Sequence, residues 1–161
     1  ANQKIVVYNL KTYNTFSLGG SDWDIGDEKI LVFVNFLHPS LAILDIDPKI
    51  SVGNNGFFTL ITNGNMEIKQ GTGDVADKDH PQLQGVYIAD GQIKTAGLAY
   101  KGKKFIGQGI FYAKEGFNLG RDLGGNNDIY PSELFIFDPK YLFTAPRVFR
   151  KKPYLWREVV P

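Results

Sequence analysis

The chain has 161 residues, 43% of them hydrophobic and 14% aromatic, which excludes a disordered protein and suffices for one domain with a buried core. It has no cysteine, which excludes disulfides, zinc–thiolate sites and cysteine nucleophiles. A net charge of +1 gives no overall field to attract nucleic acid or an acidic membrane, and no segment approaches the roughly 20 apolar residues of a membrane helix.

Short apolar runs that suit buried strands begin close to Ala1. The first is "KIVVYNL", Lys4 to Leu10, and the second is "ILVFVNFLHPSLAIL", which is interrupted by a turn around His38-Pro39. Eighteen glycines and eight prolines indicate many turns between such runs. We therefore expect a protein built from short strands, with no helix before Pro131.

Three of the following segments are copies of one pattern. They are "FTLITNGNMEI" (58–68), "GVYIADGQIKT" (85–95) and "GIFYAKEGFNL" (109–119), each a short strand, a polar turn with glycine and a second strand. Gly64 and Gly91 are 27 residues apart, and Gly91 and Gly116 are 25 apart. Aligning the turns places Leu60, Tyr87 and Phe111 in register, followed by Ile61, Ile88 and Tyr112. The upstream run fits the same frame, with Val34 matching Thr62.

A strand repeat of this length is typical of a parallel β-helix, in which neighbouring turns stack and share one core. We therefore predict a right-handed, single-stranded parallel β-helix of about four to five rungs over residues 1–137. A β-sandwich, in which the segments would be hairpins, is the alternative. Residues 132–137 fit either a short helical turn after Pro131 or a strand.

Residues 138–161 form a separate basic and aromatic tail. They contain six lysines and arginines against two acidic residues. We expect this tail to be extended and to cap the coil or pack on a neighbouring subunit, because its many large apolar side chains are unlike those of a free linker. The expected interaction residues are Arg147, Arg150, Tyr154 and Trp156. Basic and aromatic side chains together also suit single-stranded nucleic acid, but Pro146 and Pro153 favour docking on protein, and no nucleic-acid partner is expected.

Three stretches resemble a known group of sequences when they are taken in order. They are "QGVYIADGQIKT", "KFIGQGIFYAKEGFNLGRDLGGNN" and "FIFDPKYLFTAPRVFRKKPYLWREVVP". This order is similar to that in the C-terminal region of large secreted or cell-surface proteins of uncultured, small-genome bacteria, over about residues 30–161. The resemblance implies an extracellular β-helix, and it supplies no catalytic residue and no function.

The loop "GTGDVADKDH" is the candidate metal site. Asp74, Asp77 and Asp79 bring carboxylate oxygens together at short spacing, which suits calcium. The spacing lacks the alternation of a dedicated calcium loop, and Lys78 interrupts the negative charge. A solvated loop between rungs is the alternative, and no other cofactor is expected.

Carbohydrate chemistry is the second function that the residues permit. Arg121, Asp122, Asp128 and Glu133 are the residue types that β-helix lyases and hydrolases use on polysaccharides, and Tyr8, Trp23 and Tyr112 are aromatics that could stack on sugar rings. No base–nucleophile pair accompanies the carboxylates, and both histidines precede proline in turn contexts.

We therefore expect a non-catalytic extracellular module, a building block of a cell-surface protein or self-assembling appendage, whose copies associate head to tail. A carbohydrate-binding or polysaccharide-cleaving domain is the alternative.

Overall fold

The computed structural model describes residues 3–11, 14–95 and 102–149. Thirteen strands follow one another within them, and all the ladders between these strands are parallel. In chain order they are Gln3–Leu10 (β1), Thr15–Leu18 (β2), Trp23–Asp24 (β3), Lys29–Phe36 (β4), Ile43–Ile46 (β5), Ile50–Ser51 (β6), Phe57–Thr62 (β7), Asn65–Ile68 (β8), Leu83–Ala89 (β9), Ile93–Lys94 (β10), Phe105–Ala113 (β11), Phe117–Asn118 (β12) and Glu133–Phe137 (β13).

The strands coil into a parallel β-helix of about five turns, as the repeat predicts. The first sheet has the order β1-β4-β7-β9-β11-β13, and the second has the order β2-β5-β8-β10-β12. The short strands β3 and β6 pair with each other in the early turns, and β6 joins the first sheet by pairing with the start of β9. Parallel pairing throughout excludes the β-sandwich, and residues 133–137 form a strand rather than a helical turn.

The predicted register is confirmed. Leu60 pairs with Tyr87 and Tyr87 with Phe111, while Ile61 pairs with Ile88 and Ile88 with Tyr112. Val34 pairs with Thr62, as the alignment of the upstream run predicts. The strands before and after Asp90-Gly91 lie in different sheets, so this turn is a corner of the coil and not the tip of a hairpin.

The core consists of the inward side chains of successive turns. Phe58, Leu60 and Tyr87 are fully buried in the first sheet, and Leu44 and Met66 are fully buried in the second. Aromatic rings continue the core along the coil: the rings of Tyr87 and Phe111 stack with centroids 4.8 Å apart and an interplanar angle of 9°. Like side chains thus lie in register and bury one another, which explains why the repeat folds as a coil.

A ladder of side-chain amides reinforces the coil from outside. Gln84 accepts from the amide of Val52 through Oε1 at 2.8 Å, and its Nε2 donates to Oε1 of Gln108 at 3.0 Å. Nε2 of Gln108 donates in turn to Oδ2 of Asp138 at 3.0 Å. This ladder explains why glutamine recurs at residues 84 and 108. It also fixes the position at which the tail leaves the coil.

The described part of the tail runs back across the outer face of the first sheet. It contains a short helix, Lys140–Thr144 (α1), and a 3-10 turn, Arg147–Phe149, so Val148 and Phe149 are not in the extended conformation that we predict from the sequence. Tyr141 is only 1% exposed, and its ring packs 6.3 Å from that of Phe57. The contact therefore lies on the third turn of the coil, which contains β7. In the described ranges no helix has the length and apolar character needed to cross a membrane.

Candidate interaction surfaces at the ends of the coil

The loop predicted to bind calcium uses its carboxylates in contacts with lysines. Oδ2 of Asp74 lies 3.1 Å from Nζ of Lys49, and Oδ1 of Asp79 lies 2.8 Å from Nζ of Lys104. The backbone amide of Val75 and then Lys49 lower the pKa of Asp74, and Lys104 lowers the pKa of Asp79. Asp77 is exposed. Over the described residues no three metal-binding side chains converge, and the calcium site stays a prediction.

Three of the residues considered for polysaccharide chemistry, Arg121, Asp122 and Glu133, make structural hydrogen bonds, and the fourth, Asp128, is exposed. The buried guanidinium of Arg121 donates to the carbonyls of Lys69 at 2.8 Å and Lys103 at 3.2 Å. Oδ1 of Asp122 accepts from the amide of Gly124, which closes its own loop. Oε1 of Glu133 accepts from the hydroxyl of Thr95 and from the amide of Arg121, both at 2.7 Å. These contacts tie the loop after β12 to the fourth turn and to β13.

The aromatic side chains considered for sugar binding do not share a surface. Tyr8 lies at the start of the coil beside Phe16, with ring centroids 4.9 Å apart. Trp23 packs edge-on against the buried ring of Phe58, and Tyr112 is exposed on the fifth turn. Of the predicted interaction residues, Arg147 is exposed in the 3-10 turn of the tail, while Arg150, Tyr154 and Trp156 lie outside the described residues.

At the C-terminal end of the coil the last turn is incomplete. β13 pairs only with Phe105–Gly109, although β11 continues to Ala113. Residues 110–113 of β11 thus extend beyond β13 and form a step. Below this step lies a cavity of about 420 Å³, here called the end cavity, whose lining is apolar. Its lining residues include Phe111, Phe117, Leu119, Phe135 and Phe137. Phe117 is 45% exposed and Leu119 is 53% exposed, so the core is open at this end.

At the N-terminal end the first turn is equally open. β1 pairs with β4 and β2 pairs with β5, and in the part of the chain that the structure describes no strand pairs with their other edges. Val6 and Tyr8 are 37% and 38% exposed, although the residues they pair with, Val32 and Val34, are buried. The side chains that begin the core are therefore partly in solvent.

The exposed residues at the two ends belong to the same rows of the coil, where a row is a set of residues in register at successive turns. In the second sheet one row contains Phe16, Leu44, Met66, Ile93 and Phe117. In the first sheet one row contains Val6, Val32, Leu60, Tyr87 and Phe111. Both rows thus begin and end in partly exposed apolar side chains.

The outer face of the second sheet is polar. One outward row contains Ser17, Asp45, Glu67, Lys94 and Asn118. Nζ of Lys69 lies 2.9 Å from Glu67 and 3.3 Å from Asp45. Burial raises the pKa of Asp45, and Lys69 opposes this shift by lowering it. This face has the mixed charges of a solvated surface.

Sequence reasoning identifies the open strand Lys4 to Leu10 but misses Phe16, Phe117 and Leu119. Each stands in a short segment whose apolar residues look like ordinary core positions. Their place at the ends follows only from the order in which the turns stack. The signal that could find them is the end of the repeat: Phe117 belongs to the last copy of the repeat, and within the described residues no strand of the second sheet follows β12.

Comparison with protein-family models, with curated proteins and with solved structures finds no match to this chain. The resemblance to surface proteins of small-genome bacteria therefore stays a prediction from motif order.

Proposed function

We propose that this chain is a non-catalytic structural and interaction module, an extracellular building block of a cell-surface protein or self-assembling appendage, whose copies associate through the ends of the coil. The observation that carries the proposal is that partly exposed core residues stand at both ends of the same rows, Phe16 and Phe117 above all. Strand edges with exposed apolar residues promote pairing with further strands.

The chemistry of the remaining surface supports a scaffold. The outer face of the second sheet is polar, with mixed charges. The lining of the end cavity has four phenylalanines and no carboxylate. Polysaccharide cleavage needs two carboxyl groups at a fixed separation across the bond that is cut. Of the candidate carboxylates, Asp122 and Glu133 accept hydrogen bonds from backbone amides.

The test is the dependence of molecular mass on protein concentration, measured by sedimentation velocity, with negative-stain microscopy of the same samples. We expect the mean mass to rise steadily with concentration and the particles to lengthen along one axis. A single monomeric species at every concentration up to the millimolar range contradicts the proposal.

One observation favours the second candidate, a carbohydrate-binding domain. A polar groove of about 260 Å³ lies at the corner between the two sheets, and its lining includes Asn63, Asn65, Asp90, Lys114 and Glu115. The amides of Asn63 and Asn65 hydrogen-bond the backbone of the coil, so the charged side chains of Asp90, Lys114 and Glu115 are the groups that could bind sugar hydroxyls, and no aromatic ring lines the groove. Binding on a glycan array that is lost in Asp90→Ala, together with an unchanged monomer mass, would establish this candidate instead.

A further inference from the structure

We infer that the incomplete last turn of one copy is completed by the first turn of a second copy, with β2 adding to β12 and the second half of β1 entering the end cavity. This inference rests on the proposed function and specifies the surfaces that meet. The occupant is a second copy because its first turn continues the same rows, in the same strand direction, that the last turn leaves open.

The second sheet gives the clearest match. Neighbouring strands lie about 4.8 Å apart, so adding β2 of the second copy beyond β12 places its Phe16 on Phe117, in the row that both residues share. Leu18, one inward position after Phe16, then meets Leu119, one inward position after Phe117. On the outer face Ser17 lies beside Asn118, so polar side chains stay in solvent.

The first sheet has room for β1 at the step below β11. The edge of Ile110–Ala113 carries no further strand in the described part of the chain, because β13 ends at Phe137. The row order places Val6 of the second copy beneath Phe111 and Tyr8 beneath Ala113. The largest incoming side chain thus meets the smallest residue of the step, beside the end cavity.

This register also has a structural consequence. Gln3 and Lys4 belong to the rows that Ile136 and Phe137 already occupy in the last turn. Both residues must therefore turn away from the sheet where two copies meet. A shift by one residue would turn the core residues of the incoming strand to the outside.

Contacts of this kind are heterologous, because the end of one copy meets the start of the next. Such a contact leaves a free end on each side and extends into a filament unless a rotation closes a ring. Two copies meeting through identical ends would form a closed dimer instead, and this difference makes the inference testable with single residues.

The absence of cysteine allows a direct test by cross-linking. Ser17→Cys and Asn118→Cys place thiols on exposed positions that the inference makes neighbours across the junction. A spacing of about 4.8 Å between strands lies within the Cα separation of about 4.4–6.8 Å that a disulfide spans. We expect the double variant to form a ladder of covalent dimers, trimers and longer species under mild oxidation, and each single variant to stay monomeric on a non-reducing gel.

A charge at the junction provides a second measurement. Leu119→Glu is expected to raise the dissociation constant for association at least about tenfold, because it places a charge against the incoming Leu18. Leu41→Glu is the matched control: Leu41 is 72% exposed at the corner between β4 and β5, outside the proposed junction, and its substitution should leave association unchanged. Circular dichroism of both variants verifies the fold.

The outcomes separate this inference from the proposed function. If mass rises with concentration but the double variant gives no ladder, or if Leu119→Glu and Leu41→Glu behave alike, the copies meet through another surface and only the inference is wrong. Cross-linked dimers from a single variant would indicate contact between identical ends, which also overturns it. If mass does not rise at all, both fail.

Discussion

Gly109→Ala tests the stacking of the turns at its tightest point. Gly109 has φ of +144° and pairs with Gly85, which has φ of +136°. A Cβ on Gly109 would lie 1.9 Å from the carbonyl oxygen of Gly85. That atom belongs to the backbone of the neighbouring turn, so no side chain can move aside to relieve the overlap.

The expected cost has two parts. Backbone of this kind is populated almost only by glycine, and forcing another residue into it costs about 1–3 kcal/mol. Separating two turns of the ladder to admit the methyl group adds to this cost. We expect the free energy of unfolding to fall by at least about 3 kcal/mol, a large share of the roughly 5–15 kcal/mol typical of a domain.

Equilibrium unfolding in urea, followed by circular dichroism, measures this loss. Gly125→Ala is the matched control, because Gly125 lies in the 3-10 turn Gly124–Asn126 with no atom within 4 Å of its added Cβ. It should stay within about 0.5 kcal/mol of the parent chain. A Gly109→Ala variant as stable as the control would refute the close stacking of Gly85 and Gly109.

Three further predictions concern the tail, the polar face and catalysis. Tyr141→Ala should lower the free energy of unfolding by about 3 kcal/mol because it empties a buried site against the third turn, whereas the exposed Leu142→Ala should change it little; equal effects in urea unfolding would contradict this packing. Burial raises the pKa of Asp45, so its stabilising contribution is present below its unfolded pKa and is lost as pH rises through the folded value. Asp45→Asn should therefore gain stability relative to the parent as pH rises above the ordinary aspartate pKa of about 3.9, and Lys69→Met should extend this gain to higher pH, as unfolding curves at several pH values would reveal. We also expect no cleavage of uronic or neutral polysaccharides, and cleavage that is lost in Asp122→Asn would overturn the non-catalytic proposal.

The coil can be predicted from the sequence because the packing of its turns requires the repeat. Stacked turns require like residues at like positions, so the recurrence of an aliphatic or aromatic residue before each corner is visible in the sequence. Leu60, Tyr87 and Phe111 are in register for this reason, and their pairing confirms the alignment. The turn around Pro39 is enlarged, as expected, by a 3-10 turn at Pro39–Leu41.

The path of the tail could not be predicted in the same way. Its contacts are made with residues far away in the chain: Nζ of Lys29 donates to the carbonyl of Thr144 at 2.7 Å, and Nζ of Lys140 donates to the carbonyl of Val52 at 3.2 Å. Each of these contacts occurs once, so it leaves no repeat in the sequence. The sequence predicts a tail that caps the coil or packs on a neighbouring subunit, and it does not indicate that the described part packs on the third turn.

The strength of the proposed junction depends on how much apolar side-chain surface it buries. Full burial of one large apolar side chain contributes about 1.5–3 kcal/mol. Phe117, Leu119, Val6 and Tyr8 are already about half buried in the single chain, so the junction gains only part of this contribution from each of them, and the gain is opposed by the freedom that two associating molecules lose. A junction between separate copies should therefore be weak and should depend strongly on concentration. Copies held together in one larger protein or on one surface experience effective concentrations in the millimolar range, and under that condition the same contact can build a continuous coil.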